Sequence, residues 1–146
     1  MLSVAYRRAA LLASQWTTAD VRWLAVTTDY APDVDTDEFV AAVTSWELTG
    51  AGYARWVATG RVASFDGATL VLDCDDPQFG VVAAGETIGW AIAYRHVTDD
   101  TDSELICALR VEFATDGATP VTVVISDRGV LRFADARHRR LEPGWA

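Results

Sequence analysis

Two periodicities divide the chain. Over residues 1–17 the apolar positions Leu2, Ala5, Tyr6, Ala9, Leu12, Ala13 and Trp16 recur at spacings of three and four, with Ser3, Arg7, Arg8, Ser14 and Gln15 on the other side. This spacing predicts an N-terminal helix whose apolar stripe must bury against this domain or a neighbour. From Val21 the period becomes two. Residues 21–28 (VRWLAVTT) are β-branched and aromatic, the composition of a strand. After Pro32, the stretch 36–43 (TDEFVAAV) predicts one short inserted helix. Asp35 or Thr36 would cap it, and its first-turn carboxylates would suit the helix dipole.

The remainder predicts a succession of short strands: 44–49, 53–59, 61–65, 69–74, 79–83, 86–97, 104–113, 121–126 and 130–134. Asp66-Gly67 between two such runs is a hairpin signal, because a type I′ turn needs positive φ at both central residues. Asp116-Gly117 and Asp127-Arg128-Gly129 mark further turns. In 104–113, Leu105, Cys107, Leu109, Val111 and Phe113 alternate with Glu104, Arg110 and Glu112. In 86–97, Ile88, Trp90, Ile92 and Tyr94 share a face, and Gly89, Ala91 and Ala93 lie opposite, small enough for another layer to approach closely. The pattern predicts a mainly β fold, an antiparallel β-sandwich of jelly-roll type. The predicted divisions are an N-terminal helix (1–17), a β-sandwich domain (18–134) and an Arg-rich tail (135–146).

Composition changes the picture mainly through charge. The 146 residues carry 12 Arg and no Lys against 21 Asp plus Glu, a net charge of −9. Residues 17–134 hold 7 of the basic and 19 of the acidic groups, net −12, so the two ends together are net +3. An acidic body disfavours nucleic acid as a partner, since binding it requires neutralising phosphates with cations. No stretch reaches the roughly 18 apolar residues of a membrane span. Arg7-Arg8 followed by Ala9 to Ala13 begins like a twin-arginine signal, but five apolar residues fall short of the ~7–15 of a signal core. Neither export nor a membrane is expected. The 12-residue tail (DARHRRLEPGWA) clusters Arg137, Arg139 and Arg140 ahead of Trp145, the make-up of an anchor into another protein.

Candidate chemistry is sparse. Three acidic clusters stand out: Asp33-Asp35-Asp37-Glu38, Asp73-Asp75-Asp76 and Asp99-Asp100-Asp102-Glu104. The first opens like a calcium loop but has Glu38 where the sharp turn needs Gly and Thr44 where a bidentate Glu is needed. All three are read as turns and caps, so no metal and no cofactor is expected. His96 and His138 with Cys74 and Cys107 lack zinc-site spacing. The cysteines are expected as buried thiols, although one disulfide between strands is compatible with the sequence. No nucleophile–base motif accompanies His96, and no catalytic residue is assigned. Gly50-Ala51-Gly52 runs on into a strand pattern rather than a helix, unlike a phosphate loop. Of the tryptophans, Trp23, Trp46 and Trp90 are expected in the core and Trp56 exposed, where it would suit sugar stacking.

The order of segments resembles a family of small virion proteins of tailed bacteriophages. VRWLAVTTDYAPDVDTDEF, TSWELTGAGYAR, VLDCDDPQF, GETIGWAIAYRHV, SELICALRVEF and VVISDRGVLRF occur here in turn. That family reads ALVTSxYTPDxDxHxF, EVSGTGYxR, LDADDVTW, RYAVLYKD, PLIAYxDF and AGILxL in the same order. The likeness spans roughly residues 18–134, and its most specific pieces are Glu47 to Arg55, Leu72 to Asp76 and Gly129 to Phe133. Arg95-His96 stands where the family has Lys-Asp, and residues 135–146 extend past the last shared strand. The resemblance implies a non-enzymatic virion structural protein assembled in the host cytoplasm, of head-decoration, head-fibre or minor-tail type; taken with the charge pattern, the leading expectation is a decoration protein on the capsid exterior. Its expected partners are the major capsid protein or other virion proteins, with homo-oligomers also compatible. The N-terminal helix (Tyr6, Arg7, Arg8, Leu12) and the tail (Arg137, Arg139, Arg140, Trp145) would dock it. A tail or fibre component of the virion, or a carbohydrate-binding module contacting the host surface, are the rival expectations.

Overall fold

The structure, a computed structural model, describes the backbone of residues 4–33, 35–67 and 69–134, and the side chains of the same residues apart from 4–10, 133 and 134. In chain order the elements are α1 (Val4–Thr18), β1 (Val21–Thr27), two 3₁₀ turns (Val40–Ala42 and Thr44–Trp46), β2 (Trp56–Val57), β3 (Val62–Asp66), β4 (Thr69–Asp73), β5 (Gln78–Val81), β6 (Thr87–Arg95), β7 (Glu104–Ala114), β8 (Pro120–Thr122) and β9 (Leu131–Ala134). The fold is mainly β, and every strand pairing among the described residues is antiparallel. The chain forms two compact units, one from the described residues of 1–19, 59–75 and 125–146, the other from 20–58 and 76–124.

The first unit joins α1 to a three-stranded sheet ordered β3-β4-β9. Asp66 pairs with Thr69 across the loop foreseen at Asp66-Gly67, where Gly67 takes φ +62° as the turn requires. The described part of the helical stripe, Leu12, Ala13 and Trp16, turns inward. Trp16 is fully buried, and its indole N–H donates to the Asp73 carbonyl of β4 at 2.9 Å. Leu12 and Ala13 are half-buried, while Leu11, off the stripe, is exposed. The last turn of α1 carries no basic residue of its own. Arg61 supplies the charge from outside, its guanidinium donating to the carbonyls of Trp16 (2.9 Å) and Ala19. These are carbonyls that a helix end leaves without partners, at the negative pole of its dipole.

The second unit is built on a four-stranded sheet ordered β2-β1-β6-β7, with β5 and β8 paired separately. Strand β1 forms as foreseen, but its burial does not alternate: Val21 and Trp23 to Val26 are all buried. Leu24 and Val26 join Tyr30, Val40, Val43, Ile92 and Tyr94 in one apolar cluster, edged by Trp90, Leu105 and Ala108. On the alternate positions Val21, Trp23, Ala25, Ala91 and Ala93 are also buried. The sheet is thus covered on both faces, which explains the near-continuous apolar run of β1.

Three local expectations are corrected. The helix foreseen over 36–43 is replaced by the 3₁₀ turn Val40–Ala42. Its backbone groups are spent elsewhere: Val40 N–H donates to Ser103 O (2.9 Å), Ala41 N–H to Asp100 O (2.8 Å), and Glu38 O accepts from Leu105 N–H (2.9 Å). Long-range pairing therefore overrides helix propensity there. The strand foreseen over 44–49 begins instead as the 3₁₀ turn Thr44–Trp46 and pairs with β1 only at its end, where Glu47 bridges Val26 and Leu48 N–H donates to Ala25 O. Trp46 consequently lies 38% exposed rather than in the core, its ring 5.4 Å from that of Tyr30. In β7 the alternation breaks at a bulge. Tyr94 pairs with Leu105 and Ala93 with Cys107, so Ile106 is the extra residue and the faces exchange beyond it. Leu105 and Ala108 then meet the same cluster, which strict alternation forbids.

Candidate functional site

Two features of the second unit stand out, a hydrogen-bonded clasp around Arg55 and a groove beside Tyr30. Arg55 leads into the short strand β2, and its planar guanidinium is forked between two carboxylates. Nε and Nη2 donate to Glu47 Oε2 (2.8 Å) and Oε1 (2.7 Å), while Nη1 and Nη2 donate to Asp100 Oδ1 (2.7 Å) and Oδ2 (3.0 Å). The guanidinium carbon lies 5.5 Å from the centre of the Tyr94 ring, close enough for cation–π attraction. Tyr53 O–H donates to Glu47 Oε2 at 2.6 Å and accepts Ala25 N–H at 3.1 Å, tying the group to β1. Only Arg offers a fork that serves two carboxylates and a ring at once.

The electrostatics follow from this geometry. The hydrogen bonds Arg55 donates to Glu47 and then to Asp100 push its guanidinium further toward the protonated form. The same Arg55 hydrogen bonds hold the Asp100 carboxyl below the usual carboxylate range. Burial, with Glu47 close by, pushes the Tyr53 phenol well above its ordinary value. Burial likewise raises Tyr94, against the opposing pull of Arg55. These shifts hold Arg55 protonated, Asp100 ionised and the Tyr53 and Tyr94 phenols neutral at neutral pH, the reverse of a general acid or base poised near 7.

The turn between Glu47 and Tyr53 is held just as firmly. Glu86 Oε1 accepts Gly50 N–H at 2.7 Å, and both its oxygens accept Thr49 N–H at 3.2 Å. Gly52 has φ +91°, and a Cβ there would fall 2.0 Å from the Val81 carbonyl oxygen. Gly50-Ala51-Gly52 is therefore a tight turn packed onto β5, with no helix following it. Glu47, Gly52, Tyr53 and Arg55 are thus one structural unit.

Apart from Asp100 in the clasp and Asp75, the acidic clusters are used mostly within their own turns. Asp37 Oδ2 accepts Tyr30 O–H (2.7 Å) and Asp33 N–H (3.1 Å), and Asp33 Oδ1 accepts Asp35 N–H (3.0 Å). Asp75 bonds the Thr59 hydroxyl at 2.8 Å, and Asp73 caps the next amide. Asp102 accepts the amides of Thr98 and Asp99, while Asp99 accepts that of Thr101. These are side chain–backbone turns of the kind Asp favours. Among the described residues no three His, Cys, Asp or Glu side chains gather to hold a metal ion. His96 is half-buried at the end of β6, and its N–H donates to Asp20 O. Cys74 is buried, Cys107 half-buried, and both keep their thiols. Trp56, expected exposed, is half-buried opposite Trp23.

The groove has a volume of about 250 Å³. Tyr30, Pro32, Asp33 and Asp37 line one part of it, Ile92 and the β7 segment Leu105–Ala108 the rest. Burial, then the neighbouring Asp37, raises the Tyr30 phenol well above its ordinary value, so its hydroxyl stays a donor. Sequence reasoning did not find this groove. The bulge at Ile106, which turns consecutive β7 residues toward it, leaves no mark on a period-two pattern.

Of the residues assigned to docking, Leu12 is half-buried in the first unit. Tyr6, Arg7 and Arg8 lie on the backbone of α1, with side chains outside the described residues. Arg137, Arg139, Arg140 and Trp145, like His138, lie outside the described residues altogether.

The class defined so far is a mainly β protein with antiparallel sheets. No protein-family model and no solved structure matches the chain. An 89-residue stretch, 61% of this chain, is 32% identical to galactitol 2-dehydrogenase (L-tagatose-forming) of Cereibacter sphaeroides. The likeness covers 34% of that protein, so the chain spans about a third of the length of the curated relative it matches.

Proposed function

We propose that this chain is a non-enzymatic structural protein of a tailed-phage virion, a decoration or accessory protein docked on the capsid exterior through its two positively charged ends. The observation that carries this reading is the Arg55 clasp. The most specific stretch shared with the phage family, Glu47 to Arg55, spends its charged and polar groups on one another and on neighbouring backbone. It is architecture, as a shared motif of a structural family should be. The acidic body adds support, since like charge keeps crowded copies soluble and apart. Arg-rich, aromatic-tipped ends suit an acidic partner surface, and repeated weak contacts on a symmetric shell gain strength by multivalency. Deleting residues 135–146 tests the reading: the truncated protein should keep its unfolding transition and fail to co-sediment with phage heads. Full occupancy of heads by the truncated protein overturns it.

A second reading follows from the stretch similar to a dehydrogenase. A dinucleotide site of the common kind needs parallel strands, a crossover helix and a glycine loop at the helix start. Here the described strands pair antiparallel, and the glycine turn leads into β2. Oxidation of galactitol with a nicotinamide cofactor, followed by absorbance, decides it: turnover favours the enzyme, and none is expected. A carbohydrate-binding module is the third reading, favoured by the exposed Trp46 beside Tyr30. It predicts glycan-array binding that Trp46→Ala removes, where a pure docking protein binds no sugar.

A further inference from the structure

The groove beside Tyr30 has no part in the clasp, and its size and lining restrict what it can hold. At about 250 Å³ it lies below the roughly 300–1,000 Å³ of ordinary small-molecule sites and suits one or two side chains better than a metabolite. Its lining is divided. Asp33 and Asp37 supply negative charge, while Ile92, Leu105, Ile106 and Ala108 supply apolar surface. Positions 33–38 carry four carboxylates and no basic residue. Among the described residues no donor is bonded to Asp37 Oδ1 or Asp33 Oδ2, although the other oxygen of each is engaged. The exposed Trp46 ring lies at an angle on Tyr30, 5.4 Å between ring centres. Carboxylates beside aromatic rings are what a guanidinium seeks, and the apolar stretch of β7 fits an aromatic side chain. Past Leu105, whose N–H is taken by Glu38 O, β7 is the last strand of its sheet among the described residues. An extended segment can add to such an edge through its backbone.

We propose that this groove receives residues 137–145 of a second copy of this chain, with arginines of that segment on Asp33 and Asp37 and Trp145 on the apolar surface of β7. Charge complementarity is the argument. The segment carries Arg137, Arg139 and Arg140 and ends in an aromatic, and the groove offers carboxylates beside an apolar strip. Groove and segment are different patches, so the contact is heterologous and propagates copy to copy, closing into a ring only if the rotation allows. The inference rests on the previous reading only in treating the tail as a docking arm. It concerns association without any particle, so its failure leaves the head co-sedimentation experiment intact.

Sedimentation equilibrium of the full chain over a range of concentrations tests it, with complementation between variants. The wild-type chain should self-associate, more weakly at high salt. The groove variant Asp33→Arg should lose at least about tenfold in association. So should a tail variant carrying Arg137→Glu, Arg139→Glu and Arg140→Glu, and separately Trp145→Ala. Mixing the groove variant with the charge-reversed tail variant should restore pairs and nothing larger, because only one intact groove and one intact tail then meet. Matching unfolding curves establish that each variant is folded, and Trp145→Ala reads the tail without changing charge. A wild-type chain that is monomeric throughout, including one whose tail folds back on its own groove, overturns the proposal. So do oligomers untouched by the variants, or a mixture that stays monomeric.

Discussion

Arg55 and Arg61 lie close in sequence and are used in contrasting ways. Arg55, in the second unit, is forked between the side-chain carboxylates of Glu47 and Asp100. Arg61, in the first unit, donates to the backbone carbonyls of Trp16 and Ala19 at the end of α1. One arginine neutralises charge that the fold has partly removed from water; the other completes a helix whose own last turn has no cation. Removing the first leaves two carboxylates, Glu47 and Asp100, without their shared counter-ion. Removing the second leaves polar carbonyls that water can reach in part. The difference shows that a single residue type near a single turn can anchor two units by unrelated physics, and it makes quantitative demands.

The largest effect falls on Arg55→Ala. The Glu47 side chain is only 13% exposed, and stripping its partner should cost about 3 kcal/mol, the lower end for a broken buried pair because Arg55 is partly solvated. Urea unfolding at unchanged m measures it. A loss smaller than that of Arg61→Ala would invert the comparison. Arg55→Lys sharpens it. A lysine ammonium cannot fork to two carboxylates, so about 2 kcal/mol of the loss should remain. Arg61→Ala should cost about 1–2 kcal/mol, through two charge-assisted hydrogen bonds and the helix dipole. Arg61→Lys should cost less than about 1 kcal/mol, because a carbonyl pair accepts from a point donor nearly as well as from a fork.

The smallest effect is a pH dependence that separates the two sites. Asp100 is held below its ordinary range, chiefly by hydrogen bonds from Arg55. A carboxylate depressed in the folded state contributes its full stability above the unfolded value near 4 and loses it as pH falls through the folded value. The stability gap between wild type and Arg55→Ala should therefore narrow below about pH 4. The gap between wild type and Arg61→Ala should not change, since its acceptors are peptide carbonyls with no proton to take up. Asp102 and Asp116, held low by backbone N–H groups, are present in every variant and cancel. Parallel gaps in acid unfolding curves would show that Asp100 draws nothing from Arg55.

Much of this architecture is written in local pattern. The strands β1, β3, β4, β6 and β7 and the C-terminal end of the helix α1 fall within a residue or two of the expected bounds, because each must bury a face and its periodicity records that. The places that escaped are those where distant backbone decides. Residues 38–41 give their hydrogen bonds to 100–105 rather than to one another, which no window around Phe39 can reveal. The bulge at Ile106 exchanges the faces of β7 and, with them, opens the lining of the groove. Glu47, Tyr53 and Arg55 stood out in the sequence only through a resemblance, with no role attached. Their signal was an Arg set among apolar residues at the start of a short strand, with a Glu eight positions earlier to meet it. Asp100, 45 positions later, had none.

Electron microscopy of phage particles carrying a labelled copy of this chain measures the central proposal most directly, that an architectural β body rides on a virion. The account predicts label on the head exterior, repeating with the symmetry of the shell. Particles that are fully assembled and infectious yet devoid of the protein would contradict it.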